Sequence, residues 1–215
     1  MPRRQLPRRD PSLVLDAHLR EAESLPATIT SESLFGNDRP LEFEIGSGKG
    51  LFIQNAAMAR PQHNFLGVEI AKKYAAHAAS RLAKSELNNA LMVAGDAQKM
   101  LASIPDKSVI AVHIYFPDPW WKKKHKKRRV VNEFTIANVY RVLASGGELH
   151  FWTDVLEYFE SAIEMIAETL PQFGPPLPDD SDKEEFDDEP AYRTHFERRS
   201  VQHSIPVYRV RFEKT

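Results

Sequence analysis

The chain of 215 residues has no cysteine. Disulfides and thiolate metal sites are therefore excluded outright, which fits a reducing compartment. No apolar run approaches the ~20 residues that span a bilayer. Met1 to Pro11 is basic and polar and holds no apolar stretch of the kind a secretory signal needs. The expectation is a cytoplasmic protein without membrane contact and without a metal. Net charge is also nearly absent, at −1, but this hides segregation. Without residues 122–129, 22 Lys and Arg stand against 30 Asp and Glu, a balance of −8. An acidic chain with one concentrated basic patch implies a polyanionic partner docking at that patch.

The hydrophobic share of 42% and charged share of 27% are those of an ordinary globular protein. There is no internal repeat. Residues 1–35 are expected to be a flexible arm carrying Arg3, Arg4, Arg8 and Arg9, with a short helix within 12–24. Residues 36–215 are expected to form one domain. Strands are predicted at 41–45, 64–70, 90–94, 109–116, 148–152 and 207–212. Helices are predicted at 51–59, 72–85, 97–103, 135–143 and 156–170, the last with Phe159, Ala162, Ile163, Ile166, Ala167 and Leu170 on its buried face. Strand and helix alternate, so the fold class is α/β, a mostly parallel sheet with helices on both faces. Residues 171–189 read as a loop whose acids favour solubility, and 189–199 as a polar segment without periodicity.

After the first strand comes Gly46-Ser47-Gly48-Lys49-Gly50, then a helix. A strand, a glycine turn and a helix make a cofactor-binding arrangement, because small residues admit the ligand and the helix start offers free N–H groups. The dinucleotide pattern Gly-x-Gly-x-x-Gly fails at Leu51, and the P-loop pattern is absent. Glu44 precedes the glycines; it would repel a pyrophosphate and suits a cationic ligand such as S-adenosylmethionine. Glu69, at the end of the second strand, is placed to accept from ribose hydroxyls. Asp96 closes the third strand, as a further ligand-facing acid or as a helix N-cap.

The most informative stretch is Ile114 to Val131. A buried-type strand runs into Pro117-Asp118-Pro119-Trp120-Trp121, where two prolines stiffen the loop around a carboxylate. Lys122, Lys123, Lys124, His125, Lys126, Lys127, Arg128 and Arg129 follow. Aromatic faces stack on bases, and a basic run holds phosphates. Such a run alone is more often a solvated face or a localisation signal, but neither needs a strand and a Pro-Asp-Pro corner before it.

The motifs E-I-G-S-G-K-G (44–50), G-V-E-I (67–70), G-D-A (95–97), F-P-D-P-W-x-K-K-x-H-x-K-R-R (116–129), G-G-E-L-H-F-W-T-D (146–154) and T-H-F-E (194–197) resemble, in order, those of the bacterial tRNA (guanine-N7-)-methyltransferases of the TrmB type. The resemblance implies a class I, Rossmann-like methyltransferase fold using S-adenosylmethionine. It implies methylation of guanine N7 in the tRNA variable loop, at tRNA position 46. It implies cofactor contacts by Glu44, Gly46, Gly48, Glu69, Asp96 and Asp118, with Asp118 also catalytic. Lys122, Asp154, Thr194, His195, Phe196 and Glu197 become substrate contacts, and Lys124, His125, Lys126, Lys127, Arg128 and Arg129 RNA contacts. Trp121 departs from the family, where a histidine is common, and Ser200 stands near a frequent glycine. Two other readings are a methyltransferase acting on a base amino group and a non-catalytic RNA-binding protein on the same scaffold. Monomer and homodimer are both open.

Overall fold

The computed structural model describes residues 6, 10, 12–121, 123–179 and 194–215. Lys122, most of the acidic loop and the N-terminal arginines lie outside the described residues, and the side chains of Lys123 and Lys126 are likewise outside the description.

Seven strands form one sheet: β1 (Leu19–Glu21), β2 (Leu41–Ile45), β3 (Asn64–Glu69), β4 (Ala90–Ala94), β5 (Val109–Tyr115), β6 (Leu143–Thr153) and β7 (Tyr208–Glu213). Their spatial order is β1-β4-β3-β2-β5-β6-β7. Every pairing is parallel except β6 with β7. Beyond β7, Leu177 makes an antiparallel bridge to Arg211. Parallel neighbours require crossovers, and helices supply them. They are α1 (Ser31–Phe35), α2 (Leu51–Ala59), α3 (Lys72–Lys84), α4 (Ala97–Ser103), α5 (Glu133–Val142), α6 (Leu156–Thr169) and α7 (His195–Gln202).

Two apolar clusters cover the two faces of the sheet. One joins Phe43, Ile45, Val112, Ile114 and Phe151 to α4, α5 and α6 through Met100, Ile136, Val139, Ala162 and Ile166. The other joins Phe65, Met92, Tyr115 and Trp152 to α2 and α3 through Phe52, Ile53, Ala78 and Leu82. Strand side chains alternate between faces, so Glu42 and Glu44 point opposite to Phe43 and Ile45. They are nevertheless buried, because helices cover that face too.

Three expectations change. Residues 12–24 are not a helix: Leu19–Glu21 join the sheet beside β4, and a short 3-10 turn follows. Leu15 and Ile29 are buried, so this part of the N-terminal segment is built into the fold. On α6 the buried residues are Tyr158, Ala162 and Ile166, whereas Ala167, expected inside, is exposed. The segment around Thr194 forms α7, whose Thr194 hydroxyl accepts from the Glu197 backbone N–H at 3.0 Å. That Thr-x-x-Glu spacing is a helix-start signature that was present in the sequence.

Candidate active site

All strands but β7 run the same way, so their carboxyl ends share one edge, where ligands of open α/β sheets bind. Five acids stand along that edge on neighbouring strands. Asp96 follows β4, Glu69 ends β3, Glu44 lies near the end of β2, Asp118 follows β5 and Asp154 follows β6.

The glycine turn is built against β3. Gly46 and Ser47 N–H groups donate to the Val68 carbonyl at 2.9 and 3.0 Å. Gly48 has φ +54°; a Cβ on Gly46 would meet open space, and one on Gly48 would meet the Gly46 carbonyl oxygen at 4.0 Å. Gly67 is what lets the turn settle: a Cβ on it would lie 2.5 Å from the Ser47 hydroxyl and 2.7 Å from Ile53. Glu69 clasps the turn, accepting from Gly48 N–H at 3.0 Å and from Ala71 N–H at 2.8 Å. Asp96 caps α4 through the Gln98 N–H at 2.8 Å, so its N-cap role is present.

Glu44 is fully enclosed, and its Oε2 has no hydrogen-bond partner; neither has the buried Ser47 hydroxyl beside it. Burial pushes the Glu44 carboxyl up to about 8, and the Glu69 carboxylate pushes the same way. A buried acid with an unsatisfied oxygen, facing a turn with open space at Gly46, fits a ligand bearing an ammonium or sulfonium group. Glu44, Ser47, Gly46, Gly48 and Glu69 therefore fit S-adenosylmethionine.

The Pro-Asp-Pro corner is strained on both sides. Phe116 and Trp120 have φ of +49° and +46°, a region bulky residues rarely adopt and one that collects at functional sites. Asp118 itself is exposed. The corner is held from below by Arg129, which was expected to contact RNA but is buried. Its Nε donates to the Pro119 carbonyl at 2.8 Å, and its guanidinium lies 4.4 Å from the Tyr158 ring centre. The basic run forms a 3-10 helix, Lys123–Arg128, with Lys124, Lys127 and Arg128 exposed and His125 partly so. Arg128 lies over the Trp120 ring at 5.1 Å, and His125 meets the same ring edge-on at 5.8 Å. Trp121 is exposed.

The Thr194–Glu197 motif divides. Thr194 is a cap, and Glu197 is buried with its Oε1 accepting from Arg209 at 2.8 Å. Phe196 stacks on Phe116 at 5.9 Å, which ties α7 to the corner. His195 faces Arg81 of α3. Asp154 is exposed at the end of β6.

The residue reading missed a buried polar chain behind the site. Glu42 accepts from Arg60 through two bonds of 3.1 Å, from His63 at 2.7 Å and from His113 at 2.8 Å. His113 stacks on His150 at 4.9 Å. His150 and the Trp152 indole N–H both donate to Asp179, at 2.9 and 2.6 Å. Asp179 was expected to be a solubilising loop acid; it is a buried acceptor instead. Its only sequence signal is that alternate residues of β2, β5 and β6 on one face are polar. Among the described residues no cluster of three or more His, Asp or Glu is arranged to hold a metal, and no helix is long and apolar enough to cross a membrane.

A family model described as a putative methyltransferase matches residues 38–210. Solved structures similar in fold include the aminoglycoside resistance methyltransferase NpmB1, with TM-score 0.55, 18% identity and coverage of 87% of this chain and 95% of that one. A precorrin-6y C5,15-methyltransferase from Geobacter metallireducens has TM-score 0.54 and 18% identity over 94% and 97%. At that identity they establish the class I methyltransferase fold alone. Among sequence relatives, a tRNA (guanine-N(7)-)-methyltransferase of Rhodopirellula baltica is 56% identical over 100% of this chain and 80% of its own. One from Listeria innocua is 33% identical over 83% and 82%, and one from Bacillus licheniformis 31% over 98% and 97%. With a methyltransferase family model matching residues 38–210 and identity of that order over most or all of the chain, the chain belongs to the tRNA (guanine-N(7)-)-methyltransferase family.

Proposed function

We propose that this protein methylates N7 of a guanine in the tRNA variable loop, at tRNA position 46, and that S-adenosylmethionine is the methyl donor. The observation that carries the reading is the row of five acids along one sheet edge, with an unsatisfied buried carboxyl beside the glycine turn and a strained corner next to it. The relatives' activity supports the same reaction.

When bound, S-adenosylmethionine supplies an electrophilic methyl on a sulfonium centre. Guanine N7 has an exposed lone pair and no proton, so the protein needs to align it rather than deprotonate it. Asp118 stands at the corner as the group that faces the base. As methylation makes the ring cationic, a fixed carboxylate lowers the energy of the charge that develops. Asp154, on the neighbouring strand end, is placed to accept from the guanine N1–H and N2–H groups. Trp120, flanked by Arg128 and His125, offers a ring for stacking. Lys124, Lys127 and Arg128 are the exposed cations for phosphates, and Arg129 keeps the corner in shape.

Incubating the purified protein with unmodified tRNA and labelled S-adenosylmethionine, then digesting to nucleosides, tests this. The expected product is 7-methylguanosine, lost when the variable-loop guanine is replaced by adenosine. A methylated base amino group, or no transfer at all, would overturn the proposal.

A further inference from the structure

A second basic cluster, two cations (Lys49 and Arg81) with two histidines (His77 and His195), lies away from the basic 3-10 segment. Arg81, on α3, is aimed by Gln54 of α2, whose Oε1 accepts from it at 2.7 Å while the Gln54 amide donates to Ser85 at 2.8 Å. The other end of the guanidinium faces Nε2 of His195 at 3.2 Å. The Arg81 Nε is buried and has no partner. Among the described residues no carboxylate pairs with this guanidinium. Burial first, then the charges of Arg81, Lys49, His77 and Arg198, push His195 down to about 4. Burial, Arg81, Lys49 and Lys84 likewise lower His77. Every named influence is a cation or desolvation. Like charges gathered at half-buried positions disfavour one another unless an anion is present.

We propose that Lys49, His77, Arg81 and His195 form a second phosphate-binding site, which holds the tRNA backbone on the α2–α3 side of the sheet. The four side chains are partly exposed, so a ligand can reach them. They come from three elements that meet at the strand-end edge. Gly50 brings the Lys49 turn against α3, where a Cβ on it would lie 2.5 Å from the Ala78 Cβ. Phe196, next to His195, stacks on Phe116 at the corner. The basic 3-10 segment belongs to the other side, since Arg129 packs on Tyr158 and reaches Ser161 of α6. Positive charge therefore flanks the acids from both faces. A small anion would occupy one side; a nucleic-acid backbone spans both and crosses the edge between them. A planar, pre-aimed guanidinium suits a phosphate.

This site rests on the tRNA reading above, and its test separates the two. The affinity of unmodified tRNA is measured against salt for the wild type, Lys49→Gln, Arg81→Gln and the double variant. Calorimetry with S-adenosylmethionine and a circular-dichroism melt accompany each. Each substitution is expected to reduce the slope of log K against log salt by roughly 0.7–0.9, raise KM for tRNA, and leave cofactor affinity unchanged. An unchanged slope in folded variants overturns the site. So does loss of cofactor affinity with tRNA binding intact, which would assign the cluster to the cofactor's carboxylate. If Arg81→Gln does not fold, His77→Glu replaces it and should weaken tRNA binding several-fold; unchanged binding overturns the site. A wild type that shows these slopes yet methylates another atom overturns the proposed reaction and leaves this site standing. A wild type that neither binds nor methylates tRNA overturns both.

Discussion

Burial raises the Glu44 carboxyl to about 8, so at neutral pH it is expected to hold its proton until a cation pairs with it. A cationic ligand would ionise it, so binding should release close to one proton per site near pH 7. Calorimetry in buffers of different ionisation enthalpy measures this, and no buffer dependence would remove Glu44 from the cofactor site. The same burial costs stability. The unfolded chain loses this proton near pH 4.5 and the folded chain near 8, so the folded state is progressively penalised as pH rises between them. Glu44→Gln should therefore raise the melting temperature of the ligand-free protein at pH 8, by about 2–4 °C per kcal/mol relieved, while weakening cofactor binding. Asp118→Asn keeps the shape of the corner and removes its charge. It should lower kcat on the order of 10²-fold or more, the scale of losing one preorganised electrostatic group, with tRNA affinity little changed. Single-turnover methylation at the wild-type rate would refute that role and leave Trp120 and Asp154 as candidates.

At the scale of elements, the strand-end loops separate holding from positioning. Arg128 is exposed over Trp120, whereas its neighbour Arg129 is buried under Pro119. Arg128→Gln should reduce the salt slope of tRNA binding by roughly 0.7–0.9. Arg129→Gln should leave the slope alone and lower kcat, because the Pro119 carbonyl loses its donor and the corner loosens. Equal effects on the slope would mean that both arginines reach phosphate. Nothing in the run Lys122 to Arg129 tells these two residues apart, since both are arginines in one basic stretch. The regular elements were more legible. Strands β2 and β4 and helices α2 and α4 have the predicted bounds, because Gly, Pro and Asp punctuate them. β1 was not legible: three residues gain their structure from pairing with β4, some 70 positions away. α7 is short and polar, and only its Thr-x-x-Glu spacing announced it.

Across the whole molecule, a buried polar chain links β2, β5, β6 and Asp179. Burial alone would raise Glu42, but hydrogen bonds from His113 and His63 and the charge of Arg60 hold it well below the usual carboxylate range. That stability is present above the ordinary carboxyl value of 4.5 and is lost as pH falls below it. His150 is also buried, yet Asp179 and Glu148 raise it above 6.5. Its contribution is complete below pH 6.5 and fades as pH rises through the raised value. With Glu44 acting in the same sense, melting temperature should peak on the acid side of neutrality. His150→Asn should flatten the decline above pH 6.5; an unaltered profile would show that the imidazolium contributes nothing. Glu42→Gln should cost about 3–5 kcal/mol in urea unfolding, as when one partner of a buried ion pair is removed.

The sequence by itself determined the class of fold, the order of the elements from β2 to α6, the glycine turn and the acids that follow the strands. These follow from local patterns: hydrophobic period, glycine and proline positions, and short motifs whose chemistry needs adjacent residues. Only the tertiary structure decided that Glu44 is sealed from water, that Glu42 and Asp179 are buried acceptors, that Arg129 turns inward, and that Arg81 meets His195 across 114 positions. The physical reason is that burial and charge pairing depend on what the other face of the sheet and the distant helices bring near. Periodicity records which way a side chain points, not what it will meet there.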